Sequence, residues 1–587
     1  MSERAPRLAA TALTGYWDAD GENLILGCSC LRASKAEETG RFQTRLLSNP
    51  WDEPGVETAT LAAYDVSYER MLAGLSASLD RFHGHARGPR YWRIVAGPWL
   101  TAYLTTLCDR LLVAKAALKE APAASFEAPS PLPPARDTAE FLARLTTDDL
   151  NQRLYGEVFR FLGLPVIGRA AAYEPPRLRP AWKTAASDAA ASLAQAARRL
   201  RAPEAVFSSL YMPASDLSAL CLASGFRLQP TLGRISTPPD SATGDPRRAT
   251  LAETETSDEL ERLAWTLMPA HLPRILMEDF AAAAAAVRRE WPSPPRAALT
   301  SVGWLLDEHF KLLAAETVSS GGRLAIAQHG GAYGMFDVLH NERHERAIAD
   351  EYWTWGWTEP SSRAAPARIR PLPNPRLSRS AKRRPEDGWL LVTHALPRFG
   401  YTFYFCNVPV WPRYPEYLAQ RERFVAALPE AERARMSVRL PVEDFGWDMS
   451  TRLERRWPGL HLEAAREPLL ERAARARLVV IDHPQTSWLE CLAAGVPTLL
   501  FWDPMLWRMR PSALGAFEAL RKAGILRDAP DEAAARAAEV MKDPEAWWDS
   551  SEVRSAVEDF RAGWARGSRD WAAQWAAAAH ELTEARP

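Results

Sequence analysis

The chain has 587 residues, of which 47% are hydrophobic and 25% are charged. These proportions are typical of folded globular proteins and exclude a largely disordered chain. The 72 basic and 73 acidic residues give a formal net charge of −1 at pH 7, and this balance argues against a nucleic-acid-binding surface. A chain of this length exceeds what one hydrophobic core usually supports, so we expect two or three domains.

The first half of the chain alternates short apolar segments with helical ones. Strand signals at residues 7–13 and 24–27 precede a helical pattern over residues 58–121, which Gly-Pro pairs at Gly88 and Gly97 interrupt. Proline is tolerated in the first turn of a helix, so these pairs predict helix starts. Further strands are predicted at residues 204–211, 298–302 and 323–327, with a helix at 304–320. The alternation predicts a doubly wound α/β domain.

A proline-rich stretch, residues 359–388, predicts a linker. Its dense basic run, residues 376–384, is interpreted as a solvated segment, with a peripheral membrane contact left open. Strands predicted at 389–393, 437–440, 478–481 and 498–501 then restart the alternation. We therefore expect an α/β protein with two Rossmann-like domains facing a cleft: residues 1–358 with helical insertions, the linker 359–388, and residues 389–587.

The cysteines and the apolar runs limit which cellular compartment and which cofactors are expected. Six cysteines are scattered along the chain: Cys28, Cys30, Cys108, Cys221, Cys406 and Cys491. Such spacing is not a disulfide framework, and Cys28 and Cys30 lack a second pair at zinc spacing, so no metal site is expected. No secretory signal and no bilayer-length apolar run is present, so a cytoplasmic location is expected. No Gly-x-Gly-x-x-Gly or Walker pattern predicts a dinucleotide or ATP.

The segment 476–501 has the order strand, turn, helix, strand. Its turn and helix start carry Asp482, His483, Pro484, Thr486 and Ser487. Open α/β sheets bind ligands at the carboxyl ends of their strands, and free N–H groups at a helix start favour phosphate, so these residues predict a nucleotide-sugar pocket. Alternatively, Thr486 or Ser487 only caps the helix and Glu490 completes a capping box. Both interpretations remain open.

Polar residues also follow predicted strands elsewhere. His329 ends a strand and precedes Gly330 and Gly331, which let the backbone approach a ligand closely. His394 follows the strand at 389–393, and four charged residues are candidate partners for a phosphate and a hydroxyl: Asp350, Arg398, Arg439 and Asp444. The ordinary pKa of histidine lies near neutrality, which suits His329 as a general base. A structural hydrogen bond to the glycine turn is an equal alternative for His329.

Tryptophan is frequent, with 23 residues, and Trp353, Trp355 and Trp357 alternate along the chain. Indole rings stack on sugar faces, but they also fill hydrophobic cores. We expect the core role to be the commoner one for any single tryptophan.

Several segments together resemble a known family. They are residues 90–100 (RYWRIVAGPWL), 328–334 (QHGGAYG), 349–357 (ADEYWTWGW) and 482–490, with Trp547 and Trp548 near the carboxyl end. This pattern resembles a family of transferases encoded among bacterial surface-polysaccharide genes, and the resemblance spans nearly the whole chain. A wider likeness is to glycosyltransferases of the GT-B architecture. The His483-Pro484 pair is similar to one in bacterial sialyltransferases and Kdo-type capsule transferases, where it contacts the CMP part of the donor.

The resemblance implies a glycosyltransferase that moves a sugar onto a bacterial surface glycan or glycoconjugate. A nonulosonic acid or Kdo-type sugar from a CMP donor would fit it, with no other cofactor. The donor-binding candidates are His394, Arg398, Arg439, Asp482, His483, Pro484, Thr486, Ser487 and Glu490; the acceptor-side candidates are Gly330, Gly331, Tyr333 and Asp350; the catalytic candidates are His329 and His483. A nucleotide-sugar epimerase or hydrolase, and a non-catalytic nucleotide-sugar-binding protein, remain alternatives.

Overall fold

The computed structural model describes residues 5–173, 198, 202–231, 233, 235, 244–253, 255–358, 367–380, 382–386, 388–402 and 411–584. The expectation for Cys406 and part of the predicted linker, residues 359–366, lie outside the described residues. Among the helices within these ranges, none combines the length and the apolar character that crossing a membrane requires.

The amino-terminal region combines a small parallel sheet with long helices. Its strands are β1 (Arg7–Ala9), β2 (Glu22–Ile25) and β3 (Gln43–Leu46), followed by the separate pair β4 (Phe126–Ala128) and β5 (Val166–Gly168). Its helices are Ala36–Thr39, Val56–His83, Gly88–Val95, Gly97–Glu120, Thr138–Leu145 and Asp148–Phe161. Proline stands in the first turn of the helices that begin at Gly88 and Gly97, which confirms the predicted helix starts.

The first large sheet has six parallel strands: β6 (Ala205–Ser208), β7 (Leu228–Pro230), β8 (Ala297–Thr300), β9 (Arg323–Ala327), β10 (Glu351–Thr354) and β11 (Arg368–Pro371). Their spatial order is β11-β10-β9-β8-β6-β7, so the order reverses between β6 and β8 as in doubly wound folds. The accompanying helices are Ala214–Ala223, Glu259–His271, Phe280–Glu290, Gly303–Leu306, Glu308–Ser319 and His340–Ile348.

The second large sheet is also parallel: β12 (Trp389–Val392), β13 (Met436–Arg439), β14 (His461–Glu463), β15 (Leu478–Ile481), β16 (Thr498–Phe501) and β17 (Leu526–Arg527). Its order, β14-β13-β12-β15-β16-β17, is the 3-2-1-4-5-6 order of the Rossmann fold. Its helices are Tyr414–Ala427, Glu430–Ala434, Met449–Arg456, Leu469–Ala473, Thr486–Ala493, Pro511–Lys522, Pro530–Val540, Pro544–Trp548 and Ser551–Trp564. The predicted α/β class with two Rossmann-like domains is confirmed.

The predicted linker and the chain end are more deeply integrated than the sequence indicated. Strand β11 lies inside the predicted linker and pairs with β10 at the edge of the first sheet. The basic run is held by ion pairs of Arg376, Arg379 and Arg383 with acidic partners, so it is not a free solvated segment. The last helix, Trp571–Glu584, returns to the first sheet, where the rings of Trp575 and Trp353 lie 5.1 Å apart.

Candidate active site

Two histidines meet where the strand order of the second sheet reverses. Strands β12 and β15 are parallel neighbours, with Val392 opposite Ile481. Two residues further along, His394 and His483 therefore leave the sheet side by side, and their rings stack with centroids 5.1 Å apart and planes 25° apart. A ligand crevice is expected at this point of an open α/β sheet. The structure thus brings two of the predicted donor-side residues together.

Asp482 orients the second of these histidines. Its buried carboxylate accepts hydrogen bonds from the Tyr417 hydroxyl and from Arg421 Nε, both at 2.6 Å, and lies 3.0 Å from His483 Nδ1. Burial alone would raise the pKa of Asp482, but the charge of Arg421 together with the hydrogen bonds from His483 and Tyr417 outweighs burial and lowers the pKa to about 2. The ionised carboxylate favours a proton on Nδ1 of His483, which leaves Nε2 available to a ligand.

A hydrogen-bonded frame fixes the loop after β9 in the first domain. Gln328 Oε1 accepts from the backbone N–H of Trp355 at 2.9 Å and from Trp357 Nε1 at 2.8 Å, while Trp355 Nε1 donates to the Gln328 carbonyl at 3.0 Å. Trp353, Trp355 and Trp357 are all buried, so the core interpretation of these tryptophans is confirmed. Trp355 and Trp357 hold Gln328, the residue before His329.

His329 lies beside a buried tyrosine and glutamate. Its Nε2 is 3.2 Å from the Tyr333 hydroxyl, which donates to Glu345 Oε1 at 2.8 Å, while the Tyr352 hydroxyl donates to Glu345 Oε2 at 2.8 Å. Burial raises the pKa of Glu345 well above its usual value and lowers the pKa of His329 to about 4. The pKa of His329 therefore lies below the ordinary histidine value on which the base hypothesis drew, because its ring is desolvated; the role of His329 stays a prediction.

The two glycines after His329 contact the start of the helix Thr486–Ala493, the site helix. The Gly331 N–H donates to Thr486 Oγ1 at 3.1 Å, and a Cβ on Gly331 would lie 2.8 Å from the Gln485 carbonyl oxygen. The close approach predicted for these glycines is thus made to the other domain. Gly330 lies near the same hydroxyl, since a Cβ there would be 3.7 Å from Thr486 Oγ1.

The capping interpretation of the site helix is wrong. The N-cap residue is Gln485, and no side chain caps the helix, because the Thr486 hydroxyl is turned toward Gly331. Glu490 forms no capping box and instead pairs with Arg376 at 2.7 Å. Pro484 is buried in the turn before the helix, whereas Ser487 is partly exposed in its first turn.

Two arginines predicted to bind the donor are engaged with protein groups. Arg398 is buried, donates to the Phe445 carbonyl at 3.2 Å and pairs with Asp148. Arg439 donates to the carbonyl of Glu467. Donor binding by Arg398 and Arg439 stays a prediction, and each guanidinium already donates to a protein acceptor.

Two predicted acidic residues are also placed differently. Asp350 precedes β10, so it lies at the amino edge of the first sheet, opposite to His329, and pairs with Arg90 at 2.9 Å and Arg323 at 3.3 Å. The prediction that Asp350 lies on the acceptor side is therefore wrong. Asp444 accepts from the backbone N–H groups of Asp448 and Met449, which stabilises a turn.

The two domains share a cavity of about 310 Å³, which we call the histidine cavity. It is lined by His329 from the first domain, His394 from the second, and His344 from the helix His340–Ile348. His344 was not predicted from the sequence, because a histidine among charged helix residues has no local signal of function. The predicted cleft is thus present, with His329 and His394 on its wall.

Two Rossmann-like domains with a shared, histidine-lined cavity have the architecture in which α/β proteins commonly bind ligands between their halves. Residues 6–578 match the family described as LIC12162 family transferase. The chain belongs to this family of transferases, which confirms the resemblance seen in the sequence. A comparison with curated proteins finds no match.

Solved structures give distant likenesses. The chain is similar to MurG of Acinetobacter baumannii, with 11% identity, 64% of this chain and 99% of that chain covered, and a TM-score of 0.32. It is similar to WaaG, a glycosyltransferase involved in lipopolysaccharide biosynthesis, with 14% identity, 65% of this chain and 100% of that chain covered, and a TM-score of 0.30. It is also similar to the glycosyltransferase SnogD of Streptomyces nogalater, with 15% identity, 64% of this chain and 99% of that chain covered, and a TM-score of 0.32.

Proposed function

We propose that the protein is a glycosyltransferase that binds a nucleotide-sugar donor mainly through its second domain and an acceptor against its first. The observation that carries the proposal is the pair His394 and His483 at the reversal point of a Rossmann-order sheet, of which His394 lines the same cavity as His329. Membership in a transferase family supports a group-transfer reaction rather than binding alone.

On the donor side, His483 and the start of the site helix would hold the leaving phosphate. His483 is oriented by Asp482 at 3.0 Å, and Ser487 lies in the first turn of the helix. Backbone N–H groups at a helix start carry partial positive charge. Fixed donors of this kind stabilise charge that develops on a leaving group. A CMP-linked nonulosonic acid or Kdo-type sugar is the donor that the sequence resemblance favours.

On the acceptor side, His329 is the candidate base for an inverting transfer. Burial lowers its pKa to about 4, so its ring is neutral at pH 7, the form that a base requires, although desolvation makes it a weaker base than a solvated histidine. Its contact with Tyr333 at 3.2 Å restrains the ring. In a retaining transfer no base is needed, and His329 would then only bind substrate. A bacterial surface glycan or glycoconjugate is the proposed acceptor.

The test is nucleotide release from CMP-, UDP- and GDP-sugars, with and without added glycan acceptors. Acceptor-dependent release is expected. Release without acceptor would indicate a hydrolase, sugar interconversion an epimerase, and binding without turnover a non-catalytic protein.

The donor assignment has its own test. His483→Ala should weaken nucleotide binding while the fold is kept, and a thermal-shift titration measures this, since ligand at a hundred times its Kd adds about 2.7 kcal/mol of stability. His461→Ala, which removes an exposed histidine of the same domain, is the matched control. Unchanged nucleotide affinity in His483→Ala would contradict the assignment.

A further inference from the structure

The histidine cavity holds hydrogen-bonding atoms that the described residues leave unused. His344 is 5% exposed, and neither its Nδ1 nor its Nε2 has a hydrogen-bond partner among the described residues. Among the described residues, Nε2 of His394 is likewise buried without a hydrogen-bond partner. Buried polar atoms are normally hydrogen-bonded, because losing water without compensation costs stability. Such atoms on a cavity wall point to a ligand that completes them.

The described lining of the cavity carries no fixed charge. It contains no lysine, arginine, aspartate or glutamate. Burial lowers the pKa of His329 to about 4 and those of His344 and His394 to about 3, so all three rings are neutral at pH 7. The other polar lining groups are hydroxyls and an amide: Thr101, Asn341, Tyr401 and Thr402. A carboxylate or phosphate in this cavity would lose its hydration without gaining an opposite charge.

The remaining walls suit a sugar ring. Trp304 and Trp411 line the cavity, and indole faces pack against the apolar face of a sugar while neighbouring groups bond its hydroxyls. The volume of about 310 Å³ lies at the small end for ligand sites, which suits a single ring rather than an oligosaccharide.

We propose that the histidine cavity binds an uncharged sugar ring of the acceptor and that His344 is its hydrogen-bonding partner. This inference deepens the proposed function and rests on it for the acceptor role of the ligand. It separates the two substrates by charge: the carboxylated or phosphorylated groups of a donor belong at His483 and the site helix, whereas the ring in the cavity is neutral. His344 acts here as a binding residue that contacts the substrate.

The first test compares sugars that differ only in charge. Saturation-transfer NMR at pH 7.5 is run on the full chain with methyl glucoside and methyl galactoside, and with methyl glucuronide and methyl galacturonide as their carboxylated counterparts. At least one neutral glycoside should receive saturation from the protein, and its uronide should lose that signal. Equal signals from a glycoside and its uronide, or no signal from any neutral glycoside, would overturn the proposal.

The second test removes the ring nitrogens and keeps an apolar side chain. His344→Phe and His344→Leu should lose the glycoside signal. Their melting temperature should equal or exceed that of the parent, because unpartnered buried nitrogens are removed. His85→Ala, at an exposed histidine of the same domain, should bind glycoside as the parent does. Parental glycoside binding in a folded His344 variant would overturn the assignment of His344.

The two proposals fail separately. Glycoside binding that depends on His344, without any sugar transfer, would leave the cavity site in place and contradict the proposed function. Acceptor-dependent nucleotide release without binding of any neutral glycoside would support the proposed function and contradict the cavity site. Should both His344 variants fail to fold, the comparison of glycoside with uronide on the parent protein still decides the charge selectivity.

Discussion

His483 of the second domain is held in the opposite way to the histidines of the first domain. In the second domain, His483 lies against an ionised Asp482. Arg421 supplies the opposite charge, and the Tyr417 hydroxyl donates a hydrogen bond to the same carboxylate. In the first domain, His329 lies beside a tyrosine and a carboxyl group whose pKa is raised, and His344 has no described partner at either nitrogen.

This difference separates a prearranged site from an incomplete one. Asp482 and its partners hold Nδ1 of His483 within the protein, so the ring has one orientation before any ligand arrives. The rings on the first-domain wall keep unused hydrogen-bonding capacity, which a ligand would complete. A transferase with such an arrangement would hold its donor with a preformed contact and select its acceptor by satisfying open ones.

The largest expected effect comes from His329→Asn. An asparagine keeps a hydrogen bond to the turn but cannot accept the acceptor proton, so the transfer rate should fall by about 10²–10⁴-fold if His329 is the base. Donor affinity, measured in parallel, should stay unchanged. Tyr333→Phe, which removes only the neighbouring hydroxyl, should cost less. Near-parental turnover by His329→Asn would leave this residue with a structural or substrate-binding role.

The next effect tests the network of the second domain. Arg421→Met should lower the free energy of unfolding by about 3–5 kcal/mol, because Asp482 would remain buried without its counter-charge. Arg423→Ala is the control on the same helix: its partner is Asp531 and both side chains are exposed, so a loss of about 1 kcal/mol or less is expected. Urea unfolding measures both. A similar loss in the two variants would show that the buried pair has no special role.

The contact that joins the two regions predicts a smaller effect. Gly331→Ala places a Cβ 2.8 Å from the Gln485 carbonyl oxygen, and overpacking of this kind costs about 1–3 kcal/mol. At Gly563 an added Cβ meets no atom within 4 Å, so Gly563→Ala should be neutral or stabilising. Melting temperatures of the two variants give the comparison. Equal values would mean that the domains do not press together at Gly331.

Taken per pH unit, a pH dependence is among the smaller effects. The pKa of His344 falls from 6.5 to about 3 in the folded chain, so between pH 6.5 and about 3 only the unfolded state binds this proton. Stability should therefore drop as the pH falls through this window, by about 1.4 kcal/mol per pH unit for this residue. His344→Phe should reduce the slope by that amount in urea titrations at pH 6, 5 and 4. Asp482, whose pKa is lowered to about 2, adds its loss only below pH 4. If His344→Phe left the slope of stability against pH unchanged, His344 would have to be charged or solvated in the folded protein.

The sequence predicted the buried strands better than the edges. Strand β15 and strand β16 were placed at their observed ends, because short β-branched and apolar runs between helices are typical of parallel strands that are buried on both faces. Strands β14 and β17 were not predicted, since they have only three and two residues. Strand β11 was taken for linker because of its prolines, yet an edge strand tolerates proline on its unpaired side.

Site prediction succeeded where topology decides and failed where distant partners decide. His394 and His483 were both chosen as donor-side candidates because each follows a strand, and open α/β sheets bind ligands at the carboxyl ends of their strands. The ion pair of Arg398 was not predicted because its charge does not reveal that Asp148 is its partner. Arg421 and Glu345 were not predicted, since each is an ordinary charged helix residue until the fold brings Asp482 or Tyr333 against it.

The return of the last helix to the first sheet changes how the two halves relate mechanically. Trp575 on this helix donates to the Pro373 carbonyl at 2.8 Å, and Asn374 donates its N–H to the Arg566 carbonyl at 2.8 Å, so the outgoing and returning chain segments run side by side and are bonded to each other. Cutting one segment would not release either half, and expressing residues 1–388 alone would strip Trp353 of its covering helix. Any opening of the cleft would therefore have to bend both segments together, with a rotation axis that passes through the two connections.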